Sequence, residues 1–245
     1  MSQESNCAPF SSQFMVAGLL AVVVLVWGLT WPIMKVGLDY ILPLFFGSIR
    51  MLIGACFMFA VVILTRQFII PMLADWGIIF SVGLLQMAIP TALMHFSLLY
   101  VDAGRASLLA FTQPIWVAPI AILILNEKLN IGTIGGLFVG VIGLLVLFNP
   151  TAFDWHDYNT IVGNGLLICS AMSWAAGIVH VRVHNWTNSP LALSPWQMLI
   201  AGSFLFCLSG VREDISQTQW DHELVAILAF VGIVATAFGY WGAVT

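Results

Sequence analysis

Apolar stretches separated by short polar turns fill this chain, and several are about 17 to 25 residues long, enough to cross roughly 30 Å as helix at 1.5 Å per residue. The pattern predicts eight such helices: Phe14 to Val36, Leu42 to Thr65, Trp76 to Tyr100, Ala103 to Leu125, Ile131 to Phe148, Ile161 to Val181, Ser194 to Ser209 and Leu224 to Ala243. Only Val101 and Asp102 separate the third from the fourth, so the turn between them is tight.

The polar residues supply the punctuation. Residues 1–13 form a polar tail without Lys or Arg, so it has no positive n-region of a cleaved leader, and the first helix is expected to stay in the protein. The tail is followed by a first unit of five helices (14–148), a connecting loop (149–160) and a second unit of three (161–245). Composition agrees with a bilayer-embedded chain: 61% of residues are hydrophobic, 7% are charged and mean hydropathy is +1.02. Cys56, Cys169 and Cys207 lie inside apolar spans and read as small buried hydrophobes, while Cys7 is in the tail; neither a disulfide framework nor a metal site is implied. The formal net charge of -4 is spread over short loops, and no basic patch suits a nucleic acid.

A repeat gives the pattern its meaning. Shifted by 147 positions, residues 18–59 fall on 165–206 with twelve identities in 42, among them Gly18-Leu19-Leu20, Trp27, Pro43-Leu44 and Met51-Leu52-Ile53; composition alone would give roughly three. The first copy begins on helix 1 and the second on helix 6, five crossings later. Five is odd, so equivalent helices run oppositely through the membrane, an inverted repeat that suits alternating access to one central site. A duplicated scaffold with no transport role is the competing reading. Helix 8 pairs with helix 3 through Val231-Gly232 and Val82-Gly83, and counterparts of helices 4 and 5 are missing. Extending the offset would put them at about 250 to 297, so the expectation is a fragment of a ten-helix protein of roughly 300 residues, with eight genuine helices as the alternative.

Several motifs carry a family likeness. They are Val26-Trp27-Gly28-Leu29-Thr30-Trp31-Pro32-Ile33-Met34-Lys35-Val36-Gly37-Leu38, then Pro43 and Arg50, Ala106-Ser107-Leu108-Leu109 with Gln113-Pro114, and Asn126-Glu127-Lys128-Leu129. Gly143, Ser173-Trp174-Ala175 and Gly239-Tyr240-Trp241 continue the series. With these, nearly the whole chain resembles the drug/metabolite transporter superfamily, and within it the ten-helix EamA-type exporters of bacterial inner membranes. The resemblance implies a central cavity between two five-helix halves, a cytoplasmic N-terminus, and export of amino acids, related metabolites or toxic compounds. Charge does not choose the orientation: with the N-terminus inside, Arg66, Lys128 and Arg182 are cytoplasmic against Lys35, Arg105 and Arg212 outside. The loop 149–160, with Asp154, His156 and Asp157 and no Lys or Arg, leans toward the outside.

Polar residues at membrane depth are the candidates for a solute path, because a charge at a helix centre costs about 2.5 to 3.5 kcal/mol on insertion scales. Arg50 lies seven residues past Pro43, roughly 10 Å into the core; it either binds a substrate carboxylate or snorkels and pairs helices. Trp27, Trp31 and Lys35 share one helix face, and Lys35 and Arg182 each follow the paired tryptophans Trp27 and Trp174 by eight residues; a cavity wall and interfacial anchoring are both open. Gln86 and Gln113 sit near Pro90 and Pro114, where a lost backbone hydrogen bond frees a carbonyl beside Trp116; solute binding and helix pairing are the two readings. Glu127 and Lys128, with Arg182, would gate one mouth or simply form a solvated helix end. His95 and His180 are proton carriers or structural histidines. Gly132, Gly136 and Gly140 make a stripe for close helix packing, which includes contact in a homodimer.

Motifs of intramembrane serine, aspartyl and metalloproteases and of prenyltransferases are absent, as are a repeated pore loop and a charged ring. The sequence therefore predicts an all-helical secondary transporter in the bacterial inner membrane, not an enzyme. Its partners would be a small-molecule substrate and the lipid bilayer, its driving force proton exchange or the substrate's own gradient, and it would need no cofactor. A non-transporting scaffold or an inactive fragment is the runner-up.

Overall fold

The computed structural model describes residues 10–126, 130–148 and 156–238. Among them run eight helices: α1 (Phe10–Gly37), α2 (Pro43–Leu64), α3 (Leu73–Leu98), α4 (Ala103–Leu125), α5 (Ile131–Phe148), α6 (Tyr158–Val183), α7 (Pro190–Arg212) and α8, which is His222–Ala229 continued by Phe230–Phe238. Five of the eight, α2, α3, α4, α6 and α7, are long and apolar enough to span a bilayer by length and composition, and shorter apolar helical stretches lie in α1, α5 and α8.

The main departure in boundaries is α7, which begins at Pro190 rather than Ser194 and ends at Arg212. Pro190 occupies the first turn, where a missing N–H costs nothing, and Ser189 accepts from Ala192 N at 3.2 Å. Inside the helix Pro195 cannot serve the Leu191 carbonyl, and the Ser194 hydroxyl donates to it at 2.8 Å. Leu42, the repeat counterpart of Ser189, cannot cap α2. Glu213, at the end of α7, does so from across the bundle, its two carboxylate oxygens accepting from Leu44 N and Phe45 N at 2.8 Å each. Replacing Glu213 by Ala strands both donors, so unfolding in detergent should become easier by on the order of 1–2 kcal/mol. The comparable change Asp214→Ala, which removes only contacts to Ser216 and Gln217, should cost less. Asp157 caps α6, and the Thr160 backbone N–H and hydroxyl hold its carboxyl below the ordinary range.

The core is built on α2 and α7, which are repeat equivalents. Phe45 meets Phe206 (ring centroids 6.2 Å apart) and Phe59 meets Trp196 (5.1 Å). Between these ends a Cβ on Gly202 would lie 2.8 Å from Leu52 Cγ, and one on Gly54 3.4 Å from Met198 Sδ. As numbers rise along one helix they fall along the other, so equivalent helices run antiparallel. A second pair of contacts is reciprocal. A Cβ on Gly83 in α3 would sit 2.9 Å from the Gln197 carbonyl oxygen and 3.3 Å from Ile200; one on Gly232 in α8 would sit 3.3 Å from the Arg50 carbonyl oxygen and 2.7 Å from Ile53. Gln197 and Ile200 are Arg50 and Ile53 moved by 147. The first half thus grips the second as the second grips the first, which is a pseudo-twofold relation.

Past their first turns, the described helices depart from α-geometry at three places. Val82–Ala88 in α3 and Phe230–Phe238 in α8 are π-helical, again at repeat-equivalent positions. In α3 the cause is Pro90, which withholds an N–H from the turn before it. Hydroxyls of α6 take up the loosened carbonyls, Ser173 donating to Leu85 O (2.9 Å) and Ser170 to Pro90 O (3.2 Å). In α8 Thr236 Oγ1 donates to Val231 O, five residues back, at 2.7 Å. The third lapse is in α4, which breaks at Phe111-Thr112 into Ala103–Ala110 and Gln113–Leu125, with Pro114 opening the second piece.

One expectation of burial is corrected. Cys56, Cys169 and Cys207 are exposed on the bundle surface, not buried; in a bilayer that surface is apolar, so a thiol gains nothing by turning inward. Among the described residues the stripe on α5 has no partner helix against it: a Cβ on Gly136 or Gly140 would meet open space, and one on Gly132 only Asn130.

Candidate functional site

All three lapses open on one cavity of about 510 Å³ between the halves, to which every described helix except α5 contributes. Irregular backbone at membrane depth is tolerated where it lines a cavity, so the placement is economical as well as symmetric. Gln86 comes from the π-turn of α3, Thr236 from that of α8, and Gln113 from the break in α4.

Six predicted residues are brought together on this wall: Trp27, Trp31, Arg50, Gln86, Gln113 and Trp174. Trp31 is buried and meets Phe111 edge-on at 6.5 Å. Arg50 donates from Nε to Thr236 Oγ1 at 2.7 Å, and its Nη1 lies 3.0 Å from the Met34 sulfur. Gln113 Oε1 is buried without a hydrogen-bond partner among the described residues. Gln86 packs so closely on α6 that a Cβ on Gly177 would fall 2.5 Å from its Cγ.

Two predicted residues are not among those lining the cavity. Lys35 turns to the end of α3, donating to the Leu98 carbonyl and, at 3.2 Å, to that of Val101; terminal carbonyls at the negative end of a helix dipole hold a cation well. Trp116 donates to Thr112 Oγ1 at 3.2 Å and packs with Val117, Ala121 and Val179 in the seam between α4 and α6. Arg182 is exposed in the last turn of α6, so the offset that pairs it with Lys35 does not carry over to their surroundings. Glu127 and Lys128 lie outside the described residues, as does Gly239-Tyr240-Trp241. His95 is fully buried, donates from Nδ1 to Pro43 O at 3.0 Å and stacks on Phe46 at 4.7 Å. His180 pairs through Nδ1 with the Ser81 hydroxyl.

Thr236 and five methionines, Met34, Met51, Met87, Met94 and Met198, also line the wall without having been proposed as site residues from the sequence. One signal was present: Met51 and Met198 are identical under the repeat. The rest had no such mark, because methionine in an apolar helix is indistinguishable from ordinary packing.

This geometry joins a family pattern. The sequence profile described as the EamA-like transporter family matches residues 14–149 and 161–244. The chain belongs to the EamA-like transporter family. As an EamA-like protein it is a multi-pass membrane protein, and relatives across 91–92% of its length are named as a transporter or an efflux pump. It is 28% identical over 223 residues to "Uncharacterized transporter YoaV" of Bacillus subtilis, covering 76% of that protein. Over 240 residues it is 29% identical to a "Probable amino-acid metabolite efflux pump" of Salmonella typhimurium, covering 77% of it. A protein of that same name in Escherichia coli is 27% identical over 238 residues, with 92% of this chain and 76% of the relative aligned. A solved crystal structure shares the fold with a TM-score of 0.63 at 17% identity, covering 93% of this chain and 78% of that one.

Proposed function

We propose that this EamA-like protein is a secondary active transporter of the bacterial inner membrane, exporting small metabolites, amino acids or drugs by alternating access. The observation that carries the reading is the cavity itself, enclosed by two antiparallel copies of one helical unit and bordered by the two π-turns and the break in α4. Two nearly equivalent packings can exchange roles, and the π-turns are where the backbone has slack to do so. Proton exchange or the solute's own gradient supplies the driving force. The names of the two efflux pumps favour solutes related to amino acids.

The test is flux. The purified 245-residue chain in proteoliposomes should move members of a panel of amino acids, organic acids and drugs faster than protein-free vesicles do. No protein-dependent movement of any of them overturns the reading in favour of a scaffold.

A further inference from the structure

Among the described residues the cavity carries one cation, Arg50, and nothing of opposite sign. Among the described residues no carboxylate forms an ion pair with Arg50; its one oxygen partner is Thr236. A guanidinium has five N–H donors in a planar fork, and a thioether is a weak acceptor for one of them. With Nε held by Thr236, the Nη edge is left with the geometry that receives both oxygens of a carboxylate. Thr236 is itself fixed, since the hydroxyl that accepts from Arg50 donates to Val231 O. The repeat sharpens the point: Arg50 corresponds to Gln197, and Thr236, through the pairing of Val82-Gly83 with Val231-Gly232, to Met87. The anchor therefore exists in one half only and receives a single anionic end. The same cavity is lined by Trp27, Trp31 and Trp174, which suit a flat apolar body, and by Gln113, whose unpartnered Oε1 can accept from an N–H.

Resting on the transport reading, we propose that the solute is a single carboxylate on a flat apolar body, that Arg50 takes the carboxylate, and that Thr236 is the residue positioning Arg50 for it. Three solutes with one indole body separate the charges: indole-3-propionate (anion), tryptophan (zwitterion) and tryptamine (cation). In proteoliposomes the first two should move at least about tenfold faster than tryptamine, one bidentate charged contact being worth that much. Thr236→Val should raise KM for both about tenfold with kcat little changed, and Thr236→Ser should restore it. Arg50→Gln should abolish the preference, and Arg50→Lys, keeping charge without the fork, should fall between. Tryptamine moving as fast as the others, or a preference that survives Arg50→Gln, overturns this proposal while the wider panel still decides whether the protein transports. If none of the three moves, the substrate class is wrong.

A separate observation concerns the mouths. Tyr40 and Thr187 are repeat equivalents in the loops after α1 and α6, which lie on opposite faces of an inverted repeat. Each hydroxyl donates to a carboxylate near the start of the third helix of a unit: Thr187 to Asp75 by α3, Tyr40 to Glu223 of α8 at 2.7 Å. Asp75 is itself buried and also accepts from Asn188 Nδ2 and Met72 N, each at 2.8 Å, although Thr187 is exposed; Glu223 is exposed, with Gln219 N donating to Tyr40 O at 2.9 Å. We infer that these are two latches, one per face, with the Glu223 latch the readier to open. In a protein whose native cysteines are replaced by serine, Ala110→Cys places one thiol on the cavity. Asp75→Asn should raise its labelling by an impermeant thiol reagent about tenfold from the Asp75 face only, and Glu223→Gln from the other face only, as loss of one charge-assisted bond shifts an opening equilibrium. Labelling that rises equally from both faces, or a lowered melting temperature with unchanged labelling, overturns the latch assignment.

Discussion

Valine at Gly83 should lower the melting temperature of the detergent-solubilised protein clearly, and valine at Gly232 should lower it by a similar amount. Both glycines stand where one half touches the other. A new Cβ at Gly83 would lie 2.9 Å from a backbone oxygen, that of Gln197, which cannot turn aside as a side chain could. At Gly232 the clash is with Ile53 Cγ2 at 2.7 Å and its branch-point Cβ at 2.9 Å, atoms close to the backbone of α2. Overpacking of this kind costs about 1–3 kcal/mol, because the helices must separate or the side chains leave their rotamers. Gly140→Val on α5, where a Cβ would meet open space, is the control and should leave the melting temperature nearly unchanged. The near equality of the two losses is the informative part. If Gly83→Val destabilises and Gly232→Val does not, the two crossings are not equivalent, and the pseudo-twofold relation between the halves fails.

Those crossings also mark how far the sequence could be read. Helix number and the repeat were legible because lipid imposes one simple requirement, a long apolar run with every backbone group satisfied internally. The antiparallel setting of α2 and α7 followed from counting crossings, since an odd number reverses direction. Arg50, Gln86 and Gln113 stood out because polarity at depth is expensive and therefore conspicuous. What stayed hidden depends on where a side chain finds its partner. Lys35 looked like a cavity residue by its spacing from Trp27 and Trp31, yet the carbonyls at the end of α3 lie within its reach and a period along one helix says nothing of them. Trp116 sits three residues past Gln113, and Thr112 and the α4–α6 seam claim it. Thr236 is one of many threonines in apolar helices, and its role appears only once α8 is wound as a π-helix against Arg50. The cysteines misled for a different reason: rules of burial learned in water invert at a surface that faces lipid.

Filling the cavity should stop transport without unfolding the protein. Ala110 ends the first piece of α4, just before the break, and lines the cavity together with Trp31 and Trp174. An indole there occupies room that a solute needs, and about 510 Å³ is modest for a site that must also admit water and a solute's own motion. Ala110→Trp should reduce flux by about tenfold or more, a loss of at least 1.4 kcal/mol in the rate-limiting passage. Its melting temperature should stay closer to that of the unmodified protein than that of Gly83→Val does, since the added ring enters open volume and not a helix crossing. Leu145→Trp on the exposed flank of α5 adds bulk without touching the cavity and should transport normally. The pair of variants pulls apart two properties that share the same helices: crossings such as Gly83 hold the halves together, and the volume they leave between them does the carrying. Unimpaired flux through Ala110→Trp would mean that the solute passes elsewhere, and the tryptophan-lined space between the halves would then have to be a feature of packing alone.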